Sequence, residues 1–237
     1  LDGTPIEQNA LQRRPYAGRG DWRGRANFSE TQLREILQMA LQRPQQLALH
    51  TVGDAQTDAL LALMESLAPA TAWRAKRVRI EHGDGIRPDT LARAARLGVV
   101  VIQNPTHFPP PPAPSQSLLA SLLGAGVPLA LGSDGGVDEA NPYLNLMLAA
   151  SYAANPEEAL SRTQALTAYT AGGAFAARIE ARQGRIAPGM AADIAVLSQD
   201  VLTIPAAALP ATRSVLTLVD GEIAYEEPGA LPKAATP

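Results

Sequence analysis

Three short apolar runs in this chain each end in a side chain that can bind a metal or move a proton. They are Leu47-Ala48-Leu49-His50, Val78-Arg79-Ile80-Glu81-His82, and Leu129-Ala130-Leu131-Gly132-Ser133-Asp134. Between and around them, apolar residues recur at helical spacing. Ser29 to Arg43 reads as a helix: Ser29 with Gln32 forms a capping box, Leu33, Ile36, Leu37, Ala40 and Leu41 share a face, and Pro44 stops it. Leu47 to Thr51 reads as a buried strand. Asp54 is placed to cap a helix from Ala55 to Leu67. A strand follows from Val78 to His82, then a helix from Pro88 to Leu97 closed by Gly98. Val99 to Gln103 reads as a strand, Ser117 to Leu123 as a helix and Val127 to Gly132 as a strand. Helices are then expected from Asn141-Pro142 through Ala150, from Asn155-Pro156 through Leu160, and from a Thr163 cap through Ala177.

From Leu47 the pattern is therefore strand then helix, four times over, as in βα units around a parallel sheet. In a parallel α/β barrel the C-terminal tips of the strands converge on the active site. One strand carries an irregularity. Ile80 shares a side with His82, which leaves Arg77, Arg79 and Glu81 on the other, an odd parity for a strand buried on both faces; an Arg–Glu network is the expected resolution.

The ends differ from the middle. Leu1 to Asn27 is polar and without period, and reads as a loop in which Asp2-Gly3 marks a turn. After Ala177 the sequence predicts a small antiparallel sheet. Ala192 to Leu197 is one strand, and Val215 to Val219 and Glu222 to Tyr225 flank Asp220-Gly221, a two-residue hairpin signal. The boundary falls near Arg182, giving 1–182 and 183–237. Pro228 to Pro237 is expected to be disordered. Pro109 to Pro114 reads as an extended loop, with polyproline recognition by a partner as the rival.

Composition narrows the function classes. With 20 Lys and Arg against 23 Asp and Glu, and no aromatic-basic stripe, nucleic acid is not an expected partner. The absence of cysteine excludes disulfides, iron–sulfur clusters and thiolate zinc sites. The apolar run from Leu118 to Leu131 is broken by Gly124, Gly126 and Pro128, and falls short of the roughly 18–20 residues of a membrane span. The chain opens on Leu1, as if inside a longer protein; any export signal would lie upstream, and the cytoplasm is the default compartment.

The chemistry rests on few residues. All three histidines, His50, His82 and His107, fall at or just past the end of a predicted strand. A lone histidine is more often structural, but core packing does not explain three at one edge. Neutral imidazole binds zinc and similar metals. Asp134 could bind the ion too, or take a proton from metal-activated water; a turn cap is its plain alternative. Ala130 and Gly132 share its expected face and would leave room beneath it.

Several of these segments together resemble one family. His50-Thr51-Val52-Gly53-Asp54, Ile80-Glu81-His82, Gln103-Asn104-Pro105-Thr106-His107 and Leu131-Gly132-Ser133-Asp134 occur in that order. Gly184-x-Ile186-x-x-Gly189-x-x-Ala192-Asp193 follows near the end. The set is similar to the amidohydrolase superfamily, in particular its family 3, the N-substituted formamide deformylase type; Asp2-Gly3 and Pro15-Tyr16 fit as well. The resemblance implies the C-terminal part of a metal-dependent (β/α)₈ TIM barrel, strands five to eight, followed by a β-sandwich segment. It implies His50, His82 and Asp134 as metal ligands, Asp134 also as the catalytic general base, and His107 facing the substrate. It implies one or two divalent ions, zinc foremost, and hydrolysis of a non-peptide amide or related C–N bond of a small molecule by metal-activated water.

The departures from that family are equally specific. No His-x-His pair exists here, and a bridging lysine or glutamate would fall before Leu1. Gly135-Gly136 stands where the subgroup often has bulkier residues. The expectation is a C-terminal piece of a longer enzyme. A homo-oligomer of two half-barrels and a non-catalytic binding remnant are the alternatives.

Overall fold

The computed structural model describes residues 1–108, 117–135, 140–152 and 154–229. The expectations for Pro109 to Pro114, for Gly136 and for the last eight residues lie outside them.

Helix α1 (Glu30–Gln42) opens with the expected capping box and buries Leu33 and Leu37. Strand β1 (Ala48–Thr51) leads into helix α2 (Asp54–Leu67). Here one expectation fails. Gly53 is the N-cap and Asp54 is already helical; its carboxylate accepts from the Arg13 amide at 2.6 Å and from the Ala55 amide at 2.9 Å. A helix unforeseen in the sequence follows, α3 (Ala70–Lys76). Its seven residues are too few to show a period, but Trp73 is fully buried and donates its indole N–H to the Met64 carbonyl at 2.7 Å. Strand β2 (Arg79–His82), helix α4 (Leu91–Leu97), strand β3 (Val100–Gln103), helix α5 (Leu119–Gly124) and strand β4 (Leu129–Leu131) continue the alternation.

Helix α6 (Pro142–Ser151) is capped by Asn141, whose side chain accepts from the amides of Tyr143 and Leu144. Asn155-Pro156 yields only a 3-10 turn, Pro156–Glu158. Helix α7 (Arg162–Thr167) is capped by Ser161 through a box with Gln164, and not by Thr163; a π-helical turn carries it into α8 (Gly173–Ala177).

The four strands form one parallel sheet in the order β1-β2-β3-β4. In-register neighbours place Leu49 beside Ile80, and Val101 beside Leu129. These side chains face the helices and join Leu37, Leu60, Leu61, Met64 and Trp73 in the main core. The opposite face divides in two. On β3 and β4, Val100, Ile102 and Ala130 are covered by Phe175 and Ala176. On β1 and β2 the same face carries Ala48, His50, Arg79 and Glu81, which are exposed or half-buried. That resolves the odd parity. Arg79 and Glu81 pair with each other at 2.7 Å, and Arg77 pairs with Glu180 at 2.5 Å while lying over the Phe175 ring.

A separate antiparallel sheet is built from β5 (Ile194–Leu197), β6 (Ser214–Val219) and β7 (Glu222–Glu226), in that order. Asp220 and Gly221 both take positive φ, as a tight hairpin of this kind requires. No helix among the described residues is long and apolar enough to cross a membrane.

Candidate metal centre

The exits of β1 and β2 are held by backbone contacts. Asp2, 3% exposed, accepts hydrogen bonds from the amides of Leu11, Val52 and Gly53 at 2.9, 3.0 and 2.8 Å. Its carboxylate thus ties the N-terminal loop to the chain just after β1. A methyl at Gly53 would stand 2.0 Å from the Leu11 carbonyl oxygen, and one at Gly85 would stand 2.3 Å from that of Gly53. The turns after β1 and β2 therefore meet backbone to backbone, with no space for a side chain between them.

At this edge the rings of His50 and His82 meet edge-on, with centroids 4.6 Å apart. His82 in turn stacks on His107, 5.8 Å away and nearly parallel. His82 Nε2 lies 3.6 Å from Asp134 Oδ2. His82, His107 and Asp134 each offer a ligand atom within 4.8 Å of the other two. So His107, expected to face the substrate, joins His82 and Asp134, while His50 lies outside that group of three and against His82.

Backbone conformation explains why strand parity alone does not place these side chains. His82 and Asp134 both take positive φ, 68° and 45°. Such conformations are uncommon for non-glycine residues and cluster at functional sites. Each turns its side chain away from the direction that extended backbone would give. Asp134 lies beyond the last residue of β4 and is exposed.

Electrostatics favour metal-ready imidazole. Burial, then the neighbouring His82 ring, hold the pKa of His50 below its ordinary value; Asp2 and Asp134 pull the other way. At neutral pH His50 is uncharged, the form that ligates metal. Two imidazoles with a carboxylate match a zinc-type donor set, and the ligand atoms of a tetrahedral site at about 2.1 Å from the ion stand roughly 3.4 Å apart. The exposed His107 and Asp134 can close that gap by small side-chain movements.

Three amides and a hydroxyl that sequence reasoning missed support the group. Gln103, 1% exposed, donates its Nε2 to the His82 carbonyl at 2.5 Å. The Thr106 hydroxyl donates to the Ser133 carbonyl at 3.3 Å, and its amide donates to Asn145 Oδ1 at 3.3 Å. Asn145, fully buried in α6, thereby anchors the 3-10 turn (Pro105–His107) that carries His107. The available signal was a polar amide placed at a strand end or among helical apolar residues.

A cavity of about 560 Å³ is lined by Arg13, Arg14, Asp54, Arg87, Pro88 and Asp89. None of the candidate ligands lines it. The Arg13 guanidinium is already held by Asp58 and Asp89.

A model of an amidohydrolase family matches residues 1–225. The chain is 30% identical over 217 residues to protein LONG AFTER FAR-RED 3 of Arabidopsis thaliana, covering 84% of this chain and 37% of that one. It is 26% identical over 249 residues to the putative amidohydrolase YtcJ of Bacillus subtilis, covering 95% and 46%. With the N-substituted formamide deformylase of Arthrobacter pascens it shares 27% over 224 residues, covering 86% and 41%. The chain thus spans less than half the length of the curated relatives it matches. Among solved structures, an uncharacterized metal-dependent hydrolase from Pyrococcus furiosus superposes with a TM-score of 0.73 at 25% identity, over 86% of this chain and 44% of that one. The zinc complex of atrazine chlorohydrolase from Arthrobacter aurescens superposes with a TM-score of 0.59 at 22% identity, over 84% and 48%, a likeness of fold.

Proposed function

This chain belongs to the amidohydrolase family, and from that premise we propose that it supplies the metal-binding and proton-transferring part of a hydrolase acting on C–N bonds of small non-peptide amides. The observation that carries the reading is the convergence of His82, His107 and Asp134, at or just past the ends of three successive parallel strands, within 4.8 Å of one another. In this reading β1 to β4 are the fifth to eighth strands of an eight-stranded barrel. Residues 1–182 belong to it, and 183–237 to a β-sandwich segment.

The constant pair is His82 and Asp134. His107 is the third donor in the described arrangement, and His50 is the neighbouring imidazole that can turn to the same ion or to a second one. A divalent ion there, zinc foremost, would polarise the amide carbonyl and lower the pKa of water toward neutrality. Asp134, exposed and aimed at the rim, accepts the proton from the attacking water and returns it to the departing nitrogen. His82, mostly buried, holds the orientation. His50 stays neutral because it is desolvated.

The test is metal analysis of the purified protein, together with hydrolysis of N-substituted formamides. About one divalent ion per chain is expected, with activity lost on chelation and regained on adding zinc. Neither metal uptake nor hydrolysis in the full-length protein would leave the chain a binding module without catalysis.

A further inference from the structure

We infer that Gln103 is a positioning residue for this centre: its side-chain amide and its own carbonyl together fix the two strand ends from which His82 and Asp134 project. The role of that centre rests on the function proposed above; the geometry of Gln103 does not.

Ladder pairing between β2 and β3 ends at Glu81 and Ile102. One residue later His82 enters the left-handed region, and Gly83 after it does so too. The His82 carbonyl is then past the last residue paired with β3, although His82 still stands in register with Thr51 of β1. The Gln103 side chain supplies its donor, with Nε2 at 2.5 Å. The amide has one workable orientation, since turning it over would set oxygen against oxygen. On the other side, the Gln103 carbonyl accepts from the Gly132 amide at 3.0 Å, two residues before Asp134. One residue of the central strand thus grips both neighbours at the level where their functional side chains leave the sheet.

A packing role alone does not explain a glutamine here. Gln103 is 1% exposed, and its Oε1 is buried with no hydrogen-bond partner among the described residues. An orphaned acceptor is costly, and an apolar side chain would avoid the cost. What an apolar side chain cannot do is hold the His82 carbonyl, and with it the left-handed backbone that aims the imidazole.

The experiment uses Gln103→Met, which keeps the volume, and Gln103→Leu, which is apolar and branched; both remove the donor. Two readouts are taken on the full chain: the His82 backbone, from carbonyl and Cα chemical shifts in the metal-free protein, and Co²⁺ affinity by optical titration. Both variants are expected to shift the His82 backbone signals and to weaken Co²⁺ binding about 10–100-fold, the usual cost of losing an outer partner of a metal ligand. Unchanged His82 signals in both variants overturn the inference. If the parent protein takes up no Co²⁺, the proposed function fails, while Gln103 is still judged by the metal-free shifts. If neither variant folds, the parent decides: one slowly exchanging Gln103 side-chain proton supports the inference, and two rapidly exchanging ones overturn it.

Discussion

His82 Nε2 and Asp134 Oδ2 stand 3.6 Å apart, although their residues are 52 positions apart in sequence and leave strands that do not pair with each other. The side chain of His82 is 12% exposed and that of Asp134 is 60% exposed. The pair thus joins a fixed imidazole to a carboxylate open to incoming molecules, a division suited to holding an ion and moving a proton. Asp134→Asn keeps the shape and removes the base. Its kcat should fall about 10²–10⁴-fold, the range that general acid–base catalysis contributes, with the circular dichroism spectrum unchanged. Steady-state kinetics on a formamide substrate check it.

The three histidines should not contribute equally to metal affinity. His82→Ala removes the ring shared by both neighbours and should weaken zinc binding by more than the roughly 100-fold upper bound for losing an outer partner. His107→Ala should cost more than His50→Ala, because His107 and not His50 completes the group with Asp134. Isothermal titration of the three variants orders them. The reverse ranking of His50 and His107 would place the ion on the β1 side.

The depressed pKa of His50 makes a statement about stability in the metal-free protein. The unfolded chain takes up a proton near pH 6.5, whereas the folded chain resists until a lower pH. Stability from this residue is therefore fully present above about pH 6.5 and declines as pH falls toward the folded value. Urea unfolding between pH 5 and 7.5 should show this slope, and His50→Gln should flatten it.

Asp2 gives a prediction far from the metal. Its carboxylate satisfies three amides inside the protein, so Asp2→Ala leaves Leu11, Val52 and Gly53 with buried N–H groups unmet. A loss of about 1–3 kcal/mol for each amide left unmet is expected, read as a lowered unfolding midpoint. Asp2→Asn should fall between the two, since one oxygen remains to accept.

Much of this architecture is legible along the chain, for a physical reason. Strands buried on both faces of a parallel sheet read as unbroken apolar runs, so Val99 to Ile102 and Leu129 to Leu131 announce themselves, whereas β2 alternates because one of its faces carries Arg79 and Glu81. Capping boxes are equally local, which is why Ser29 is found at once. The α3 helix escaped because seven residues hold fewer than two full turns of period. The site was read by position and not by orientation. His50, His82 and Asp134 were picked out at strand ends, yet the positive φ of His82 and Asp134 breaks the alternation on which parity depends. The grouping of His107 depends on a 3-10 turn anchored by Asn145, a contact 39 residues away in sequence that no local pattern encodes.

The backbone-to-backbone seam at Gly53 and Gly85 limits how such a protein can diversify. An alanine at Gly85 would push against the Gly53 carbonyl and wedge the two turns apart, and one at Gly53 would push against the Leu11 carbonyl and displace the N-terminal loop from the end of β1. The spacing of His50 and His82 is thereby set by backbone packing beneath them and not by the imidazoles themselves.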